Sequence, residues 1–90
     1  MSQAIVNPAE VRAFAAQLKH FNGELLTQLG TLNRQFQALG STWRDQEQIK
    51  FGAEFAQLMQ TFNRFTQQSE LYVPFLVRKA ERIEEYLHQR

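Results

Sequence analysis

The sequence predicts an all-α fold, an antiparallel hairpin of two long helices, and three observations carry that expectation. Apolar residues recur at steps of three and four over most of the chain. A Gly-Ser-Thr stretch interrupts the recurrence once, at residues 40–42, and there are only four Gly and two Pro among 90 residues. Such a chain is one domain at most, near the size at which a single core is thin and association with another chain is a common remedy.

The first helix is expected over residues 8–39. Asn7 ahead of Pro8 is a start signal: Asn caps free amides, Pro fits the first helical position, and Glu10 suits the positive end of the helix dipole. From there Val11, Phe14, Leu18, Phe21, Leu25, Leu29, Leu32, Phe36 and Leu39 trace a heptad seam with one extra four-residue step, a stutter, between Leu25 and Leu29. Gly23 and Gly30 lie inside the pattern and weaken it by about 1 kcal/mol each where exposed. Gly40 suits a left-handed helix end, and Thr42 followed by Asp45 resembles a capping box, so a turn at 40–42 and a second helix from 43 are expected.

The second helix is expected over 43–73. Phe51, Phe55, Leu58, Phe62, Phe65, Ser69, Tyr72, Leu76, Ala80, Ile83 and Leu87 again step by threes and fours. Two long helices joined by a tight turn must lie antiparallel. Pro74 removes one backbone hydrogen bond and crowds the carbonyl of Glu70, which predicts a kink or short break near 69–74 and a kinked extension over 74–88. Measured against the first helix, residues 75–90 should overhang, and Phe75, Leu76, Ile83 and Leu87 form an apolar side there for a partner to cover.

Composition narrows the function. Ten Lys or Arg against nine Asp or Glu give a net charge of +1, scattered along the chain, with no basic stripe for nucleic acid and no acidic tail. There is no Cys, hence neither disulfide nor thiolate metal site. The opening Met-Ser-Gln-Ala-Ile-Val-Asn-Pro has no basic or apolar signal segment, and no apolar run approaches the roughly 18 residues of a membrane span, so neither a Sec-type signal nor stable membrane insertion is expected. His20 with Glu24, and His88 with Glu84 and Glu85, supply too few ligands for a metal. No nucleophile, base and orienter stand in a recognisable order, and no Gly-rich phosphate loop exists. The expectation is a non-enzymatic chain without a cofactor. The Phe stripes are read as core and interface. Apolar residues off the seam, Ala15, Leu26, Val73 and Val77, exceed what one hairpin can cover and point to a four-helix dimer.

The turn is the distinctive spot. Trp43, the sole Trp, could simply plug the end of the core. Its surroundings add to that reading: a long amphipathic helix ending at Leu39, a turn bearing Trp43, Arg44 and Asp45, then Phe51 and Phe55, eight and twelve residues after the Trp. This arrangement resembles the Trp-X-Gly (WXG) family, ESAT-like helical hairpins that are small substrates of type VII (ESX) secretion. Asp45 stands where that family usually has Gly, and Glu47 where a small residue is usual. Asp at that place can start a helix, so the fold tolerates the change.

The resemblance implies a substrate or accessory of a type VII-like pathway, paired as a homodimer or with a related hairpin. Trp43, Arg44 and Asp45 would then be read by a secretion motor or another partner. It also implies an export signal of Tyr, three residues, then Asp or Glu, which neither Tyr72 (followed four on by Leu76) nor Tyr86 (followed four on by Arg90) provides. Export would then depend on a partner or on another signal. The alternative reading is an intracellular adaptor or chaperone that shields an effector's helices. Glu81, Glu84 and Glu85, alternating with Arg78, Lys79 and Arg82, read as a solvated face or, failing that, a docking strip.

Overall fold

The structure, a computed structural model, describes residues 6–88. The leading residues 1–5, read above for a secretion signal, and Arg90, tested above against Tyr86, lie outside the described residues. Two helices, α1 (Pro8–Leu39) and α2 (Gln46–His88), run antiparallel as a hairpin measuring 68 × 23 × 17 Å. At about 1.5 Å per residue α2 is about 64 Å long and spans nearly the whole molecule. The start of α1 is set by Asn7, whose extended backbone lets its Oδ1 accept from the amides of Ala9 at 2.9 Å and Glu10 at 3.3 Å.

The turn differs from the expected one in two respects. Gly40 is right-handed (φ −61°, ψ −16°), and no described residue has positive φ. Instead α1 tightens as it ends, with Gly40, Ser41 and Thr42 amides donating to carbonyls three residues back, and Trp43 N donating to Leu39 O at 2.8 Å. The second helix begins at Gln46 rather than 43, because Asp45 and not Thr42 is its cap. Asp45 Oδ1 accepts from Gln48 N at 3.0 Å, and its carbonyl accepts from Gln48 and Ile49. The Thr42 hydroxyl is turned the other way, onto the carbonyl of Leu39.

The helix interface follows a seam that only some of the large apolar residues mark. On α1 it runs through Val11, Ala15, Leu18, Asn22, Leu25, Leu29 and Phe36. On α2 it runs through Phe55, Met59, Phe62, Thr66, Ser69, Val73, Leu76, Ala80 and Ile83, all buried or half-buried. Steps of three and four alternate from Val11 to Leu29 and along all of α2, with one step of seven from Leu29 to Phe36, so the stutter at Leu25–Leu29 dissolves. It arose from choosing Phe14 and Phe21 over their small neighbours. Ala15 (1% exposed) and Asn22 (2%) hold the seam, while Phe14 (58%) and Phe21 stand outside it. The physical reason is distance: helix axes can close to about 8 Å only where small side chains meet. Ala15, Thr66, Ser69 and Ala80 are such side chains. At the turn end Gly52 serves the same purpose, since a Cβ there would come within 3.3 Å of the Phe36 ring.

Of the kink or short break expected near Pro74, the break is absent; α2 runs as one helix through it. The overhang is also shorter than expected. Residues 40–44 fill the space beside the start of α2, so α1 is displaced toward the far end of α2. Arg12 meets Glu84 in a two-pronged ion pair, Nε to Oε2 at 3.0 Å and a terminal guanidinium nitrogen to Oε1 at 2.8 Å. Leu76 and Ile83 are consequently half-covered by the chain's own α1 and Ala80 is fully buried, whereas Phe75, Tyr86 and Leu87 stay exposed.

Two glycines separate propensity from packing. A Cβ at Gly23 meets nothing within 4 Å, so Gly23→Ala should gain about 1 kcal/mol of helix propensity and raise the thermal midpoint by roughly 4–8 °C. Gly52→Ala should fall short of that gain, because the Phe36 ring must shift to admit the methyl. Thermal unfolding of the two variants followed by circular dichroism checks both outcomes.

Candidate protein-pairing surface

The residues left outside the seam gather on one side of the hairpin. Along α2, Phe51, Leu58, Phe65 and Tyr72 recur every seven residues, each immediately before a seam position, and each is about half-exposed. Phe14 and Phe21 hold the corresponding place on α1. In an antiparallel pair these two stripes meet across the seam, and Phe21 and Phe65 do so edge to face, ring centroids 6.3 Å apart. Near the free ends the joined stripe opens into an apolar groove of about 510 Å³ lined by Phe14, Leu18, Phe65, Tyr72, Phe75 and Leu76, with Gln68 and Ser69.

The opposite side of the seam is mixed. Arg12, Lys19 and Asn33 of α1 and Asn63, Glu70 and Glu84 of α2 lie there beside Leu26 and Val77, and the Arg12–Glu84 pair belongs to it. The hairpin thus has one side of mixed character and one apolar side that solvent does not satisfy. A continuous apolar patch of this kind marks an interaction surface. Fully covering each of its half-exposed large side chains is worth about 1–2 kcal/mol. A face of six or more such residues competes with the roughly 4–15 kcal/mol cost of association.

The turn residues named from the sequence are brought together with the aromatics of the closed end. The Trp43 ring lies 6.0 Å from Phe51, and Phe36 packs at 5.7 Å from Phe51 and 4.8 Å from Phe55, so Trp43 does plug the tip and is half-buried there. Arg44 and Asp45 are divided between the helices. The Arg44 guanidinium folds back, Nε donating to Gly40 O at 3.0 Å, and a second nitrogen reaches Ser41 O at 3.5 Å. Asp45 caps α2. A cation thus sits at the negative end of α1 and an anion at the positive end of α2, which stabilises both helix dipoles at once.

Sequence reasoning missed the Arg12–Glu84 pair, since nothing local joins residues 72 apart. Equal heptad places on two antiparallel helices were the available signal. The pair lowers the Glu84 carboxyl from its ordinary value of 4.5, chiefly through the hydrogen bond from Arg12, and raises Arg12 by the same bond. His20 Nε2 lies 4.0 Å from Glu24 Oε2 on the surface. Among the described residues no three His, Asp or Glu gather as a metal site, and no helix is long and apolar enough to cross a membrane.

Fold and turn together define a helical hairpin closed by a Trp-bearing aromatic tip and open along one apolar face. The family model described as proteins of 100 residues with WXG, WXG100, matches residues 3–87, and the chain belongs to that family. No curated protein matches it. Among solved structures it is similar to the secreted protein EsxB from Bacillus anthracis str. Sterne. The wild-type form is 26% identical, with a TM-score of 0.79, 94% of this chain and 99% of that chain being covered. The G53A mutant form is 27% identical, with a TM-score of 0.75 and coverage of 93% and 97%.

The turn geometry explains how a WXG100 chain can carry Asp45 in place of the motif glycine. No turn residue needs positive φ, so the position is open to any good cap. Asp45→Gly should retain the hairpin and lose only a few tenths of a kcal/mol, while Asp45→Ala should lose about 1 kcal/mol, both read by chemical denaturation. Because the folded Glu84 value is lowered, its stabilisation is complete above the ordinary glutamate range and is lost as pH falls through the lowered value. Glu84→Gln should therefore flatten the acid limb of thermal midpoint against pH and leave the slope near neutrality unchanged.

Proposed function

We propose that the chain is a non-enzymatic pairing module that joins a second copy, or a related hairpin, through its apolar face to form a four-helix bundle, and that it serves a type VII-like secretion pathway as substrate or accessory. The half-exposed stripe of Phe14, Phe21, Leu58, Phe65 and Tyr72, continued by Phe75, is the observation that carries this reading. A partner hairpin presenting the same stripe would cover it along its length. Trp43, with Arg44, Asp45 and the first turns of α2, would be the surface that a secretion ATPase reads. Membership of the WXG100 family, and the description of EsxB as a secreted protein, support export. Phe75 and Leu87 remain available beyond the paired region, with Leu76 and Ile83 half-covered behind them.

A second reading is an intracellular adaptor whose same face shields an effector's helices. The two readings differ in where the protein is found. Sedimentation of the purified chain should show a concentration-dependent dimer, and Phe65→Glu should render it monomeric with helix content retained. A chain monomeric at all concentrations would refute self-pairing. In the source cell, the export reading requires the protein in culture medium and its loss from there on Trp43→Ala with the fold intact. Confinement of the unaltered protein to the cytosol, bound to an effector, would establish the adaptor reading instead.

A further inference from the structure

The longest uninterrupted apolar stretch of the sequence is Leu71–Val77, Leu-Tyr-Val-Pro-Phe-Leu-Val, bounded directly by Glu70 and Arg78. A helix cannot hide such a stretch on one face. Val73 and Leu76 lie in the seam, while Leu71 (71% exposed), Tyr72 (50%) and Phe75 (49%) stand outside it. In an extended conformation the same residues are a hazard. Tyr72, Val73, Phe75 and Val77 are good strand formers, the run carries no charge, and its length is that of a segment able to stack into a steric zipper with other copies. Pro74, at its centre, is the residue that does not fit.

Nothing in the folded hairpin requires a proline there. It does not end α2, which continues through it to His88. It is exposed and fills no seam position. It also leaves the Glu70 carbonyl without the N–H that a helix supplies four residues on, and proline is the least favourable residue for a helix interior. A residue that weakens the folded state and serves no contact in it points to a duty in the unfolded one.

We infer that Pro74 acts before folding, by keeping Leu71–Val77 from pairing as a strand with the same segment of other copies. A strand through the run would lack a ladder donor at its middle, and prolines are confined to strand edges for that reason. The central place is the effective one, since it leaves three apolar residues on either side, too few for a zipper of six or seven. Within α2 the loss is a single hydrogen bond, and packing on both sides keeps the helix continuous. The inference depends on neither pairing nor export, because every copy is unfolded when it is made.

The test refolds the full chain from guanidinium at several concentrations. Circular dichroism follows the helical product, and thioflavin fluorescence with light scattering follows strand-paired aggregate. Pro74→Ala returns an N–H to the Glu70 carbonyl and should raise the thermal midpoint by roughly 10 °C. On refolding it should nevertheless give severalfold more thioflavin-positive aggregate than the parent, increasingly so with concentration. Pro74→Lys returns the same N–H but sets a charge inside the run. It should keep most of the gain in midpoint and aggregate no more than the parent. A Pro74→Ala chain that refolds as cleanly as the parent would overturn the inference. So would a lowered midpoint, which would give Pro74 a duty in the folded hairpin, or a Pro74→Lys chain that aggregates like Pro74→Ala, which would place the hazard outside the run.

Discussion

Two helices in a hairpin can bury only one stripe each, and most of this molecule follows from how that limit is met. The stripe they bury is built from small and medium side chains over the free-end half and from aromatics only near the turn. Small residues allow the axes to approach, and the larger apolar residues are displaced one position to the side. The same chain therefore has a closely packed seam and a surplus of apolar surface beside it. Among the described residues nothing covers that surplus, and an apolar face is the consequence.

Antiparallel topology gives the surplus its form. Residues that precede a seam position on α1 and on α2 fall on the same side of the pair, so Phe14 and Phe21 join Phe51, Leu58, Phe65 and Tyr72 in one continuous stripe. Those that follow a seam position fall on the other side, where Arg12 pairs with Glu84. In a parallel pair the apolar stripes would flank opposite sides and the ion pair would be lost. Orientation is set in turn by the tip, where Arg44 and Asp45 end one helix and begin the next within a few residues, and the ring cluster of Phe36, Trp43, Phe51 and Phe55 closes the core.

The tip also accounts for the variant motif. A glycine at the third motif position would matter most if the backbone there required positive φ, and it does not. What the position requires is an acceptor for free amides at the head of α2, which a carboxylate supplies. Trp43 fills the end of the core in either case, so its structural duty and a recognition duty are compatible: one face of the indole rests on Phe51 and part of the ring remains exposed.

Local rules were enough to read the two helices, the cap at Asn7, the position of the turn and the aromatic cluster around Trp43 from the sequence, because each depends on residues close together in the chain. They also located the large apolar residues that make the outer face, without distinguishing that face from the seam. Only the packed structure made that distinction. Ala15 and Asn22 are hidden while Phe14 and Phe21 are not, because axis separation, rather than hydrophobicity, decides which stripe goes inside. The register of α1 on α2, the Arg12–Glu84 pair and the shortened overhang were likewise tertiary outcomes, fixed by the room that residues 40–44 occupy beside the start of α2. Pro74 gave a sequence signal for a break, yet the α1 packing along its length holds α2 continuous through it. A local preference worth a few kcal/mol is outweighed when the surrounding seam binds both sides.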